Sequence, residues 1–110
     1  QHFSGRRIWL LMGVFADKDY RQIGEIMSSC SDCVFCFQPD HQRGLASDVL
    51  AAAMTQYFSA AVNVHTAEQA VQQAMGQAKA DDVIVSFGSL STIKTVRDAL
   101  TNWGVQHETN

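Results

Sequence analysis

The stretch Ile8-Trp9-Leu10-Leu11-Met12-Gly13-Val14-Phe15-Ala16-Asp17-Lys18-Asp19-Tyr20 decides the fold. It opens with a nearly continuous apolar run behind two arginines, Arg6 and Arg7. A strand with one wet face would alternate; a run without alternation reads as a strand buried on both faces. The chain turns polar at Asp17-Lys18-Asp19. From Tyr20 the spacing becomes helical, with Tyr20, Ile23, Ile26 and Met27 on one face. Asp19 precedes that helix as its expected cap.

The same unit recurs three more times. Val34-Phe35-Cys36-Phe37 predicts a second strand, ended by the only proline, Pro39, and the loop Asp40-His41-Gln42-Arg43-Gly44. A helix is expected over about 47–59, capped by Ser47, with a stripe of Val49, Leu50, Ala53, Met54, Tyr57 and Phe58. Val62-Asn63-Val64 predicts a short third strand. Thr66-Ala67-Glu68-Gln69 has the form of a capping box and opens a helix to about Lys79, its stripe built of small side chains. Val83-Ile84-Val85-Ser86-Phe87 predicts a fourth buried strand, and a last helix runs from about Ser91 to Trp103, stopped by Gly104. Asp81 and Asp82 are expected to solvate the turn before the fourth strand. Trp9 and Trp103 fall at apolar positions and read as core. Strand–helix alternation of this kind predicts an α/β, Rossmann-like three-layer domain with a mainly parallel sheet and helices on both faces.

Size and composition agree with one domain spanning residues 1–110. A chain of 110 residues buries roughly two-thirds of its unfolded surface. It is 46% hydrophobic and 17% charged, which predicts folding rather than disorder. Eight basic against eleven acidic residues give a net charge of −3, so no nucleic-acid groove is expected. No apolar run reaches the ~18 residues of a membrane helix, and the N-terminal residues lack a signal-peptide pattern. The missing initiator Met reads as a fragment or a processed chain. Three cysteines are read as reduced, which fits a cytoplasmic monomer.

Ligands of open α/β sheets bind beyond the carboxyl ends of the strands. Three polar loops occupy that edge: Asp17-Lys18-Asp19, Asp40 to Gly44, and Gly88-Ser89. Each precedes a helix N-terminus, whose free N–H groups suit anions. The alternative for each loop is ordinary helix capping. There is no Gly-x-Gly-x-x-Gly and no Walker A loop, so this chain is not expected to hold ATP phosphates itself. Cys30-x-x-Cys33-x-x-Cys36 has the look of a metal motif, but strand geometry sends Cys33 and Cys36 to opposite faces, and no metal is expected. The four histidines are scattered; His41 lies in a candidate loop, where the alternatives are contact with substrate and, the favoured reading, surface solvation.

Two segments carry a family resemblance. Gly13-Val14-Phe15-Ala16-Asp17-Lys18-Asp19-Tyr20 resembles the Gly-x-x-x-Asp-Lys-Asp after the first strand of the C-terminal domain in folylpolyglutamate and dihydrofolate synthases of the Mur ligase family. Residues 82–97, with Gly88-Ser89 at their centre, resemble that family's closing strand, Gly-Ser turn and helix. Pro39 and Arg43-Gly44-Leu45-Ala46 are similar to its Pro-loop, though Gln42 stands where members often have Pro.

The resemblance implies part of a multidomain ligase that uses ATP and Mg²⁺ to activate a folate or dihydropteroate carboxylate as an acyl phosphate, which the amine of L-glutamate attacks. It implies that this domain closes over the ATPase domain of the same chain and is inactive alone, with no catalytic residue of its own. Its implied substrate-binding residues are Asp17, Lys18, Asp19, Arg43, Gly88 and Ser89. Lys18 would neutralise anionic charge. Asp17 and Asp19 would orient Lys18, cap the helix or meet the ammonium group, Arg43 would line the rim, and Ser89 would bond a glutamate carboxylate. The competing expectations are a small doubly wound binding or receiver-like module, and a rhodanese-like thiol domain using Cys36. The first needs an isolated Asp at the end of a central strand, where this chain reads Gln38-Pro39-Asp40, and no Ser/Thr–Lys pair closes the third and fourth strands. The second needs a loop thiol, whereas Cys36 sits in an apolar strand.

Overall fold

The computed structural model describes residues 2–3, 6–79, 82–88 and 90–106. The elements are β1 (His2–Phe3), β2 (Arg6–Gly13), α1 (Tyr20–Met27), β3 (Cys33–Phe37), α2 (Ser47–Met54), β4 (Ala60–His65), α3 (Ala67–Gln77), β5 (Val83–Gly88) and α4 (Leu90–Gln106). β2 is central. It pairs in parallel with β3, Leu11 opposite Phe35, and with β5, Leu11 opposite Ser86. β4 joins the outer edge of β3, also in parallel, giving the order β5-β2-β3-β4. The short β1 lies antiparallel on Arg6 and Arg7, an addition to the four strands expected.

The runs of β2 and β3 bury as their lack of alternation predicts. β5, expected as a buried strand, is only partly buried along Val83 to Phe87. Among the described strands it pairs with β2 alone, and an edge strand is covered from one side. Leu10, Met12, Val14, Val34 and Cys36 face one side of the sheet, against Leu50, Ala53 and Met54 of α2, with Tyr20, Ile23 and Met27 of α1 packed at the margin. Trp9, Leu11, Phe35 and Phe37 face the other side, against the small residues of α3 and Val96 and Ala99 of α4. Trp9 and Phe35 stack with centroids 5.9 Å apart, and Trp103 packs at the edge of this cluster. The result is three layers with two helices on each face. Gly13 has no Cβ for a packing reason: one placed there would overlap the fully buried Phe37 ring.

Several local expectations are corrected. Ser47 is not a cap. The N-cap is Ala46, without a side-chain bond, and Ser47 is buried with its Oγ 3.4 Å from His65 Nδ1. α2 ends at Met54 rather than Ser59, where Thr55 Oγ1 donates back to Ala52 O and tighter turns take over. α4 continues through Gly104, because a glycine stops a helix only where the chain turns left-handed. Ile26 and Val49 lie on their predicted stripes yet are 61% and 47% exposed. Asp82 does not merely solvate its turn. Its carboxylate accepts from Lys79 N at 2.8 Å, Trp9 Nε1 at 3.0 Å and Arg7 N at 3.2 Å, tying the end of α3 to the start of β2. Asp81 lies outside the described residues.

Candidate functional site

From β2 the chain moves through α1 to β3 on one side, and from β4 it crosses back through α3 to β5 on the other. The order therefore reverses between β2 and β5. Crevices at such switch points, beyond the carboxyl ends of the strands, are where doubly wound sheets take ligands. Gly13 and Gly88 end the two strands opposite one another there.

The loop after β2 carries the first group of candidate residues. Phe15 is 8% exposed and anchors the loop from below. Asp19 is spent locally: its Oδ1 accepts from Gln22 N at 3.3 Å and caps α1. Lys18 N donates to Phe15 O at 3.1 Å, while its side chain is exposed and makes no ion pair among the described residues. Asp17 reaches away from Lys18 to the second loop, with Oδ2 3.7 Å from Arg43 Nη1. Both partners are over 60% exposed, so this pair contributes at most ~1 kcal/mol.

The loop after β3 is latched onto the first. Phe15 and Gly44 form an antiparallel bridge, Ala16 N donates to Arg43 O at 2.8 Å, and Leu45 N donates to Val14 O at 2.9 Å. A Cβ on Gly44 would sit 2.5 Å from Pro39 O, so only glycine passes through this approach. The Arg43 guanidinium lies over the Phe15 ring at 4.9 Å, and the His41 ring stacks on the same Phe15 at 4.7 Å. The structure thus brings Asp17, Lys18, Asp19 and Arg43 to one edge, with Gly88 ending the neighbouring strand. Ser89 lies outside the described residues.

Sequence reasoning placed His41 in a candidate loop but missed Phe15 and the stacking of the two rings. An aromatic closing an apolar run was the only signal for Phe15, and nothing local pairs it with His41. It also missed His65, which has φ of 67°, in the left-handed region where side chains are strained. The turn is closed by Thr66 N donating to Val64 O at 2.7 Å, beside a register shift after Cys36. A cavity of about 440 Å³ opens there, lined by Phe37, Pro39, Asp40, His65, Ala67 and Glu68 among others. Its two carboxylates make it a poor anion site, and it contains none of the six predicted residues.

Cys36 and Cys33 face opposite sides of the sheet, as strand geometry predicts. Burial, with a smaller contribution from Cys33, pushes the Cys36 thiol up to about 12. Burial also raises Cys33, partly offset by Arg7. Thiols held protonated in this way are poor nucleophiles. Among the described residues no three His, Cys, Asp or Glu side chains gather as a metal requires, and no helix is long and apolar enough to cross a membrane.

Comparison with known proteins follows the same lines. Residues 1–90 match the family described as Mur ligase, glutamate ligase domain. A probable bifunctional folylpolyglutamate synthase/dihydropteroate synthase of Halobacterium salinarum is 32% identical over 102 residues, which is 92% of this chain and 12% of that protein. The E. coli FolC structure in complex with DHPP and ADP superposes with a TM-score of 0.77 at 24% identity, covering 88% of this chain and 22% of that one. A bifunctional folylpolyglutamate synthase/dihydrofolate synthase from Yersinia pestis, complexed with AMPPNP and Mn ion, gives 0.72 at 25% identity, covering 86% and 22%. The chain therefore spans about an eighth of the curated relative and under a quarter of these solved chains. With the doubly wound fold and the matched segment extending from β1 into the start of α4, the chain belongs to the Mur ligase glutamate ligase domain family.

Proposed function

We propose that this domain serves an ATP-dependent ligase that joins L-glutamate to a folate or dihydropteroate carboxyl group, supplying part of the glutamate site and closing against the ATPase domain of the same chain. One observation carries the reading. At the switch-point edge Asp17 leans weakly towards Arg43 and Asp19 caps α1, while Lys18 is exposed and without an ion pair among the described residues. A cation left free at the carboxyl ends of strands fits a ligand with two carboxylates. Asp17 and Arg43 together offer both signs of charge to an amino acid, and Ser89, after β5, would donate to a carboxylate by family resemblance.

ATP and Mg²⁺ do not fit the described residues. The sequence has no phosphate-cradling loop, and among the described residues no metal donor set converges. Activation of the substrate as an acyl phosphate accordingly belongs to the rest of the ligase. This domain binds and orients the amine that attacks it, an effect of positioning.

The test is steady-state kinetics of Lys18→Ala and Ser89→Ala in the full-length ligase. A hydrogen bond to a charged ligand is worth about 1.5–3 kcal/mol, so the KM for glutamate should rise by roughly one to two decades. Neither residue lies on an apolar stripe, so thermal stability should stay near the parent's. Val85→Ala, partly buried in β5 beside Leu10 of β2, should instead lower stability through lost packing. Unchanged glutamate kinetics in both loop variants would reduce these loops to helix caps.

A further inference from the structure

We propose that His41 is a positioning residue that fixes Arg43 for glutamate binding; this rests on the assignment of Arg43 to the glutamate rim. The Arg43 backbone N–H points at His41 Nδ1, 3.1 Å away. That nitrogen must carry a lone pair to accept, which places the ring proton of neutral imidazole on Nε2. The bond also orients the ring, which lies on Phe15 with centroids 4.7 Å apart and planes inclined by 29°. Phe15 cannot move aside: it is buried, and its backbone is bridged to Gly44.

Arg43 has a long side chain that is 62% exposed, and its contact with Asp17 at 3.7 Å holds it weakly. What restricts it is the frame beneath. His41 N donates to Pro39 O, Gly44 N donates to His41 O, and Arg43 O accepts from Ala16 N, so the turn carrying Arg43 is closed from both ends. The guanidinium then rests on the ring that His41 also covers. A binding cation restricted before the ligand arrives loses less entropy when it binds. His41 therefore acts through Arg43 and on affinity, not on the reacting atoms.

The experiment compares His41→Ala, His41→Asn and His41→Phe in the full-length ligase, at saturating ATP and folate. Asn places Oδ1 where Nδ1 stood and keeps the acceptor; Phe keeps the stack and loses it. His41→Ala should raise the KM for glutamate about fivefold, the effect of one neutral hydrogen bond, with kcat little changed. His41→Asn should return KM to near the parent's, and His41→Phe should not. In a His41→Ala, Arg43→Ala double variant the effects should not add. A parent-like KM in His41→Ala, or rescue by Phe and not Asn, overturns the proposal.

Arg43→Ala alone separates the two readings. If it raises KM while His41→Ala does not, only the positioning role fails. If Arg43→Ala leaves KM unchanged, the rim assignment fails and the positioning role with it. Imidazole ¹⁵N shifts of the labelled full-length protein then report independently on the bond: protonation at Nδ1 in the neutral ring would show that Arg43 N–H has no acceptor there.

Discussion

Asp82 shows what a single residue contributes that its neighbours in sequence do not reveal. An acidic pair before a buried strand reads as a solvated turn, yet Asp82 collects three donors, one of them the indole of Trp9, 73 positions away. The bonds from Lys79 N–H and the Trp9 indole, followed by that from Arg7 N–H, hold its carboxyl below the usual range. A carboxyl depressed in the folded state contributes stability above its unfolded pKa, and that contribution is lost as pH falls through the folded value. Asp82→Asn should therefore be less stable than the parent at pH 7. The difference should narrow as pH falls below about 4, where the parent's carboxylate begins to take up protons. Urea midpoints across that range measure it, and a pH-independent gap would mean the charge is not what the three donors stabilise. Trp9 was legible as core from its apolar neighbours; its partner was not.

Among the elements, α3 was the most legible. Thr66-x-x-Gln69 announced a capping box, and both of its bonds are present: Thr66 Oγ1 accepts from Gln69 N at 3.1 Å, and Gln69 Oε1 accepts from Thr66 N at 3.3 Å. Thr66→Ala should cost about 1 kcal/mol of stability, the usual worth of an N-cap hydroxyl. Chemical denaturation with an unchanged slope would measure this, and an unchanged midpoint would show the box to be idle. α2 was less legible. Ser47 has the chemistry of a cap, but the chain enters that helix one residue earlier and buries the hydroxyl near His65. Ile26 and Val49 show the limit of spacing as a guide. Periodicity gives the direction of a face, whereas its buried width depends on which neighbours reach it.

For the whole molecule, the switch point between β2 and β5 and the absence of a phosphate loop lead to one expectation. The 110-residue chain alone should release no phosphate from ATP with folate and glutamate above a heat-killed control. Release above it would mean that this domain carries catalytic machinery the proposed function assigns elsewhere.

Local chemistry alone determined the alternation of strands and helices, the two-sided burial of β2 and β3, the capping of α1 and α3, and the loops at which a ligand would be sought. Each depends on residues within a turn or a strand of one another, so period and neighbour identity suffice. Tertiary structure decided the strand order β5-β2-β3-β4, the latch of Phe15 onto Gly44, the pairing of Asp17 with Arg43 in place of Lys18, and the left-handed turn at His65. These depend on which distant segments meet once the sheet has formed. Asp17 could pair with its neighbour Lys18 or with Arg43, and the backbone bonds from Ala16 to Arg43 and from Leu45 to Val14, with Arg43 lying over Phe15, bring Arg43 within its reach.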